Sequence, residues 1–331
     1  MHPVSALAIP AAVLLAATAC SLLAPSDAQL MGDLTQTSGG GPAASAGNGP
    51  GGALPLPTGG EGEVPSGAGG AEGELPSGAG GAAGSADSSA LISQDKLALW
   101  LMADHGIGAV EGGGVAVWAD QSMNEADAKQ SLAGMQPTLV PAAGNVPQML
   151  EFDGVDDQLA LPEGFSDFSE GLSVFIVASA SEDQSCPSLL HLSNDPEQED
   201  IEVGRFHGSV HYEVHDDDVW GPENAFGLNQ RVLVGVVHAP NKAPELRLNG
   251  VFMATADFKA LPSVTPRVNN FIGRSLYAGC ELFHGTIGEI IVYARALDGA
   301  ERDAVQSYLQ SKWSYVPPVK TKPGPGEIPT Q

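Results

Sequence analysis

The sequence predicts an all-β protein, a sandwich or barrel of short strands that ends in one short helix. Beyond Ser88 the chain alternates runs of β-branched and aliphatic residues with Gly, Pro, Asn and Asp, and no helical period of useful length interrupts them before residue 298. A further sign is Asn249-Gly250, set between Leu246–Leu248 and Val251, because this dipeptide supplies the positive φ angles that a tight hairpin needs.

Taken in order, strands are expected at Leu97–Leu101, Val115–Trp118, Met149–Phe152, Gln158–Leu161, Leu172–Ala180, Ser188–Leu192 and Ile201–Gly204. They continue at Gly208–His215, Arg231–Ala239, Glu245–Leu248, Val251–Ala256, Asn269–Gly273 and Thr286–Tyr293. The closing helix has Asp298 as its N-cap and Glu301 three residues on, the spacing of a capping box. Val305, Tyr308, Leu309 and Lys312 trace one of its faces.

Only part of the 331-residue chain builds this core. Nineteen of its 42 glycines and nine of its 25 prolines fall within residues 1–88, where too little apolar surface is available to offset the entropy of ordering. Residues 20–88 are therefore expected to form a disordered Gly/Ala/Ser/Pro stalk, 89–316 the folded domain and 317–331 a disordered Pro-rich tail. Within the stalk, Glu61–Ala71 (EGEVPSGAGGA) recurs as Glu72–Ala82 (EGELPSGAGGA), a repeat with no apolar face and so a spacer. A flexible segment of about 57 residues reaches roughly 40 Å, enough to hold a domain clear of a membrane.

Residues 1–19 read as an export signal: Val4–Ala19 is apolar, too short to span a bilayer, and ends in small residues before Cys20. Ala17-Thr18-Ala19-Cys20 resembles a bacterial lipobox, although Ala17 replaces the usual leucine and no Lys or Arg precedes the apolar run. Lipidation at Cys20 is the leading expectation, with ordinary cleavage after Ala19 and an uncleaved anchor as alternatives. Ser21 would then permit passage to the outer membrane, so the protein is expected in the cell envelope, facing the periplasm or the cell surface, or else secreted. With Cys20 acylated, Cys186 and Cys280 remain as an even pair in an oxidising compartment, and a disulfide between them is predicted, with two separate buried thiols as the alternative.

Fourteen Lys plus Arg against 40 Asp plus Glu give a formal charge of -26. Such a field repels phosphate backbones and anionic headgroups, which argues against nucleic acid as a partner and leaves the lipid anchor as the expected membrane contact.

Several segments carry a family likeness: LWLMADHG (99–106), WADQSMNEADAKQ (118–130), LEFDGVDDQL (150–159), GLSVFIVAS (171–179), NFIGRS (270–275) and GTIGEIIVYARALDGAERDAVQSYLQSKW (285–313). In this order they resemble a bacterial laminin G-like domain of the concanavalin A-like superfamily. Met123 and Glu125 depart from it, standing where relatives usually place glycine. The resemblance implies a two-sheet antiparallel jellyroll sandwich whose ligands are met on one sheet or on rim loops, and it implies no single activity.

Three sets of residues are candidates for chemistry. Glu151, Asp153 and Asp156 approach the Glu-x-Asp-x-(x)-Glu pattern of concanavalin A-like glucanases, but Gly154 suggests a turn where a catalytic strand should continue. His207, Ser209, His211, Glu213 and His215 alternate with Gly208, Val210, Tyr212 and Val214, a strand period with a polar face opposite a core face. Strand residues four apart lie about 13 Å from each other, so His207, His211 and His215 cannot share a zinc, whereas His211 with Glu213, or Glu213 with His215, can chelate. With Trp220 nearby, the row resembles a sugar-binding surface, carboxylates and imidazoles meeting hydroxyls and an indole stacking on a pyranose; Trp220 as a core residue is the alternative. Asp156 with Asp157, and Asp216, Asp217 and Asp218, are candidate calcium ligands or merely solvated acids. No Gly-x-Ser-x-Gly elbow, phosphate loop, zinc-type cysteine pair or His-Glu-x-x-His is present.

The expected function is non-catalytic recognition of a polysaccharide or glycoprotein outside the cytoplasm. A structural protein-protein interaction domain and a concanavalin A-like glycoside hydrolase are the alternatives.

Overall fold

The computed structural model describes residues 92–109, 112–195 and 199–315. The signal, lipidation, stalk and tail readings (1–19, Cys20, 20–88 and 317–331) lie outside the described residues. Within them, alternating strands assemble into two antiparallel sheets. The first runs in spatial order through β15 (Val251–Thr255), β14 (Glu245–Leu248), β13 (Val232–His238), β8 (Leu172–Ala180), β17 (His284–Tyr293), β6 (Met149–Asp153) and β5 (Thr138–Val140), with β1 (Leu97–Met102) also paired to β17. The second runs through β12 (Asp217–Trp220), β11 (Ser209–Val214), β10 (Ile201–Phe206), β9 (Ser188–Ser193), β16 (Asn269–Ile272), β7 (Leu159–Leu161), β4 (Ala128–Lys129), β3 (Val115–Trp118) and β2 (Ile107–Ala109). Among the described residues no helix is long and apolar enough to cross a membrane.

The main core lies between the sheets, where Leu150, Phe152, Val174, Ile176, Val234 and Ile290 of the first meet Leu190, Leu192, Val203, Val210 and Tyr212 of the second. A second apolar layer forms because the first sheet is apolar on both faces. Trp100, Phe175, Val177, Leu233 and Ile291 point outward from it and are covered by Val305, Tyr308, Leu309 and Trp313 of α1 (Gly299–Trp313). The predicted capping box is present, Asp298 accepting from the Glu301 amide at 2.9 Å while the Glu301 carboxylate accepts from the Asp298 amide at 3.2 Å. Close docking of the helix requires Gly288, because a Cβ there would stand 2.7 Å from the Trp313 ring.

Glu125, one of the departures from the laminin G-like pattern, adopts φ 55°, the left-handed region that glycine fills without strain. Asp120 organises its loop, accepting from the amides of Trp100, Ser122 and Ala126.

His238 of β13 reaches across the core to β11, its Nδ1 sharing a 3.1 Å hydrogen bond with the Tyr212 hydroxyl, while its Nε2 has no partner. The Phe258 ring packs edge-on at 5.4 Å. Burial pushes the imidazole down to about 4 from 6.5, against a smaller upward pull from the Lys242 backbone. The unfolded chain then binds this proton more readily than the native state, so stability is complete above pH 6.5 and is lost as pH falls toward 4. In a pH series of urea midpoints, His238→Gln is expected to shrink this acid-side loss by up to about 1.4 kcal/mol per pH unit. A slope identical to wild type would show that His238 is not held neutral.

Candidate functional site

The outer face of the second sheet, turned away from the core, is where polar side chains gather, and strand register explains how. β10 and β11 are joined by a two-residue turn at His207-Gly208 (φ 44° and 80°), and β11 and β12 by another at His215-Asp216 (φ 53° and 64°). With positive φ at both central positions these turns are of the I′ kind, whose twist matches that of the flanking strands. This corrects the sequence reading, in which His207 and His215 share a strand face with His211: the strand between the turns is only Ser209–Val214. His215 instead braces the fold, its amide donating to Asp200 at 3.1 Å and its Nε2 accepting from the Ser263 amide at 3.1 Å.

The registers set side chains in rows across the sheet. Asp218 lies opposite Glu213, Glu213 opposite Glu202, Glu202 opposite His191, and His191 opposite Phe271. One step along, Trp220 lies opposite His211 and His211 opposite Gly204. The polar face at Ser209, His211 and Glu213 is therefore not solvated, as a polar strand face would ordinarily be, but buried. It is covered by the indole of Trp220 and by the segment 273–283, which the Cys186–Cys280 disulfide (Cα–Cα 5.0 Å) ties to the start of β9.

A cavity of about 270 Å³ remains between them, lined by Phe206, His211, Glu213, Asp216, Asp218, Trp220, Tyr277 and Cys280. Trp220 is 45% exposed, which settles its alternative reading as a core residue. It packs on His211 (ring centroids 4.2 Å apart) and meets Phe206 edge-on at 5.0 Å. His211 Nε2 lies 2.6 Å from Asp218 Oδ1 and 3.6 Å from Glu213 Oε2. The Tyr277 hydroxyl donates toward Glu213 and stands 3.2 Å from Asp200. His207 and Ser209 line a separate depression on the other side of Trp220.

The electrostatics follow from burial of several acids together. Burial, reinforced by Asp200, Glu202 and Asp218, pushes the Glu213 carboxyl up to about 8 despite its bond to Tyr277. Glu202 is raised by burial too, and Asp200 likewise. Asp218 moves the other way, held low by its hydrogen bond to His211. Burial pushes His191 down to about 4.

The other candidates are placed differently. Glu151 and Asp153 are exposed on β6, with Asp153 Oδ1 turned into its own turn to accept from the amides of Val155 (2.8 Å) and Asp156 (3.2 Å). Asp157 is buried and accepts from the Asp153 amide at 3.0 Å. Asp216, Asp217 and Asp218 do not converge, since Asp216 sits in the turn and successive strand residues point to opposite faces. Among the described residues two groups of three bring donor atoms within 4.8 Å of one another, Glu202 with His211 and Glu213, and Asp153 with Asp156 and Asp157. Either group is able to hold a metal.

Glu202, His191, Asp200, Phe206 and Tyr277 were not among the residues singled out from the sequence. The first had a readable signal, since Ile201-Glu202-Val203-Gly204 alternates and places Glu202 opposite the core face. Tyr277 had none, because it arrives from a loop 64 residues beyond Glu213.

No family model matches the chain, and no curated protein matches it. Among solved structures it is similar to domain 4 of an extracellular arabinanase from Geobacillus stearothermophilus, in complex with arabinotriose, with 14% identity, a TM-score of 0.47 and coverage of 65% of this chain and 99% of that one. It is also similar to the CBM40 of a Ruminococcus gnavus sialidase bound to α2,3-sialyllactose (21% identity, TM-score 0.36, coverage 45% and 95%). A third is the Trypanosoma rangeli sialidase in complex with an inhibitor (15% identity, TM-score 0.43, coverage 63%), of which this chain spans 32%. Identities of 14 to 21% leave ligand and activity to be read from this chain's own residues.

Proposed function

We propose that the chain is a non-catalytic binding module that takes a neutral or amino sugar, as part of a polysaccharide or glycoprotein, in the cavity beside Trp220. The observation that carries this reading is a half-exposed indole standing over hydrogen-bonding groups: Trp220 offers an apolar face for a pyranose ring, while Asp216, Asp218, Glu213 and Tyr277 offer acceptors and donors for its hydroxyls. No Lys or Arg lines the cavity, and its acids disfavour sialic and uronic acids, so uncharged or amino sugars fit best. Asp218 is engaged by His211 Nε2 at 2.6 Å and Glu213 by the Tyr277 hydroxyl, so neither carboxyl stands free to act as nucleophile or acid; this supports binding over cleavage. On this reading lipidated Cys20 and the 20–88 stalk display the module at the cell envelope.

The test is retention of the full chain on insoluble glycans such as chitin, cellulose and mannan, beside pectin as an anionic control. Wild type is expected to be retained on at least one of the first three. Trp220→Ala should weaken that retention up to about tenfold, the worth of one aromatic stacking contact. Retention on pectin alone, or retention indifferent to Trp220, would contradict the reading.

A further inference from the structure

We propose that Glu202, His211 and Glu213, with Asp218 beside them, form a site for a divalent transition metal of the zinc class. The sheet register brings the three together, Glu202 directly opposite Glu213 and His211 two residues along the same strand face, with one donor atom of each within 4.8 Å of the others.

A second, independent observation points to a missing ligand. Glu202 is fully buried, and although Ser188 donates to its Oε1, its Oε2 has no hydrogen-bond partner. A buried polar atom without a partner is rare in native proteins.

The donor types narrow the metal. An imidazole nitrogen with two carboxylates in a closed setting suits zinc and its neighbours, whereas calcium takes six to eight oxygens and has no use for the imidazole. The His211 nitrogen that faces the carboxylates is Nε2, 3.6 Å from Glu213 Oε2 and 2.6 Å from Asp218 Oδ1, so Asp218 stands at the edge of the same site. The cavity lined by His211 and Glu213 gives an ion its way in. This site does not rest on the sugar reading, since the metal needs no glycan to bind.

The experiment is calorimetric titration of the chelator-stripped full chain with zinc chloride alone, with calcium chloride as the comparison. One equivalent of zinc is expected to bind, and calcium to bind far more weakly. Glu202→Gln and His211→Ala should each weaken zinc by at least about 100-fold and Asp218→Asn by about 10- to 100-fold, while Asp156→Asn leaves it unchanged. Because a buried substitution can unfold the protein, nitrogen NMR of the histidine rings in wild type provides a second readout. Zinc should shift the ring nitrogens of His211 and leave His284, which lies on β17 beside Glu182, in place. Absence of zinc uptake, uptake lost with Asp156→Asn but kept with Glu202→Gln, equal affinity for calcium, or an unperturbed His211 ring would each overturn the proposal.

Discussion

Glu289→Ala is expected to destabilise the protein by about 3–5 kcal/mol, the usual effect of removing one partner from a buried ionic cluster. Glu289 sits on β17 under α1, fully buried, and four donors converge on its carboxylate. The Trp100 and Trp313 indole nitrogens lie at 2.7 and 2.8 Å, the Tyr308 hydroxyl at 2.8 Å and the Lys312 ammonium at 3.0 Å. Lys312 is also held by Asp104 at 2.8 Å, which joins the helix to the loop after β1. Deleting the carboxylate leaves two indoles and part of an ammonium without this acceptor. Glu289→Gln, which keeps an oxygen, should cost less than alanine. A drop in the urea midpoint worth under about 1 kcal/mol for the alanine variant would show that these donors find water or other partners, and that the cluster does not clamp the helix.

The second large effect is expected at the disulfide. Cys186 and Cys280 are 94 residues apart, so the bridge closes a long loop in the unfolded chain, and replacing both with serine should cost about 2–5 kcal/mol. The bridge also anchors the segment that carries Tyr277 over Glu213, where Ser185 donates to Glu281 beside it. Loss of the bridge should therefore loosen the cavity as well as the fold. Urea unfolding of the double-serine protein, compared with wild type in non-reducing buffer, measures the first effect. Stability unchanged within about 0.5 kcal/mol would mean that contacts around the 273–283 segment hold it without the covalent tie.

The strands and the helix could be read from the chain because each buries a face with its own period. Leu172–Ala180, Val115–Trp118 and Glu245–Leu248 lie where alternation and turn residues put them. Of the strands that escaped, β2, β5 and β12 form sheet edges and β4 has two residues, so little burial marks them in the sequence. β12 is also opened by Asp217 and Asp218, poor strand formers that are held there by pairing with Val214 and Glu213. The polar alternation of Ser209, His211 and Glu213 marked the right strand for the site, yet its ends were misplaced because His207 and His215 continue the alternation into turns. Neither turn carries Asn-Gly, the usual sign. Burial of that face was not readable either, since it depends on Trp220 from the next strand and Tyr277 from a distant loop. These contacts are made only once the sheets have formed.

Tryptophan fluorescence tests most directly whether the outer face of the second sheet is where this protein meets a ligand. Of the four tryptophans, Trp100, Trp118 and Trp313 are almost wholly buried and Trp220 alone is half exposed, so acrylamide should quench one emitter selectively. With a retained glycan added in saturating amount, that quenchable fraction is expected to disappear. A glycan that binds while Trp220 stays as quenchable as before would place recognition elsewhere on the molecule.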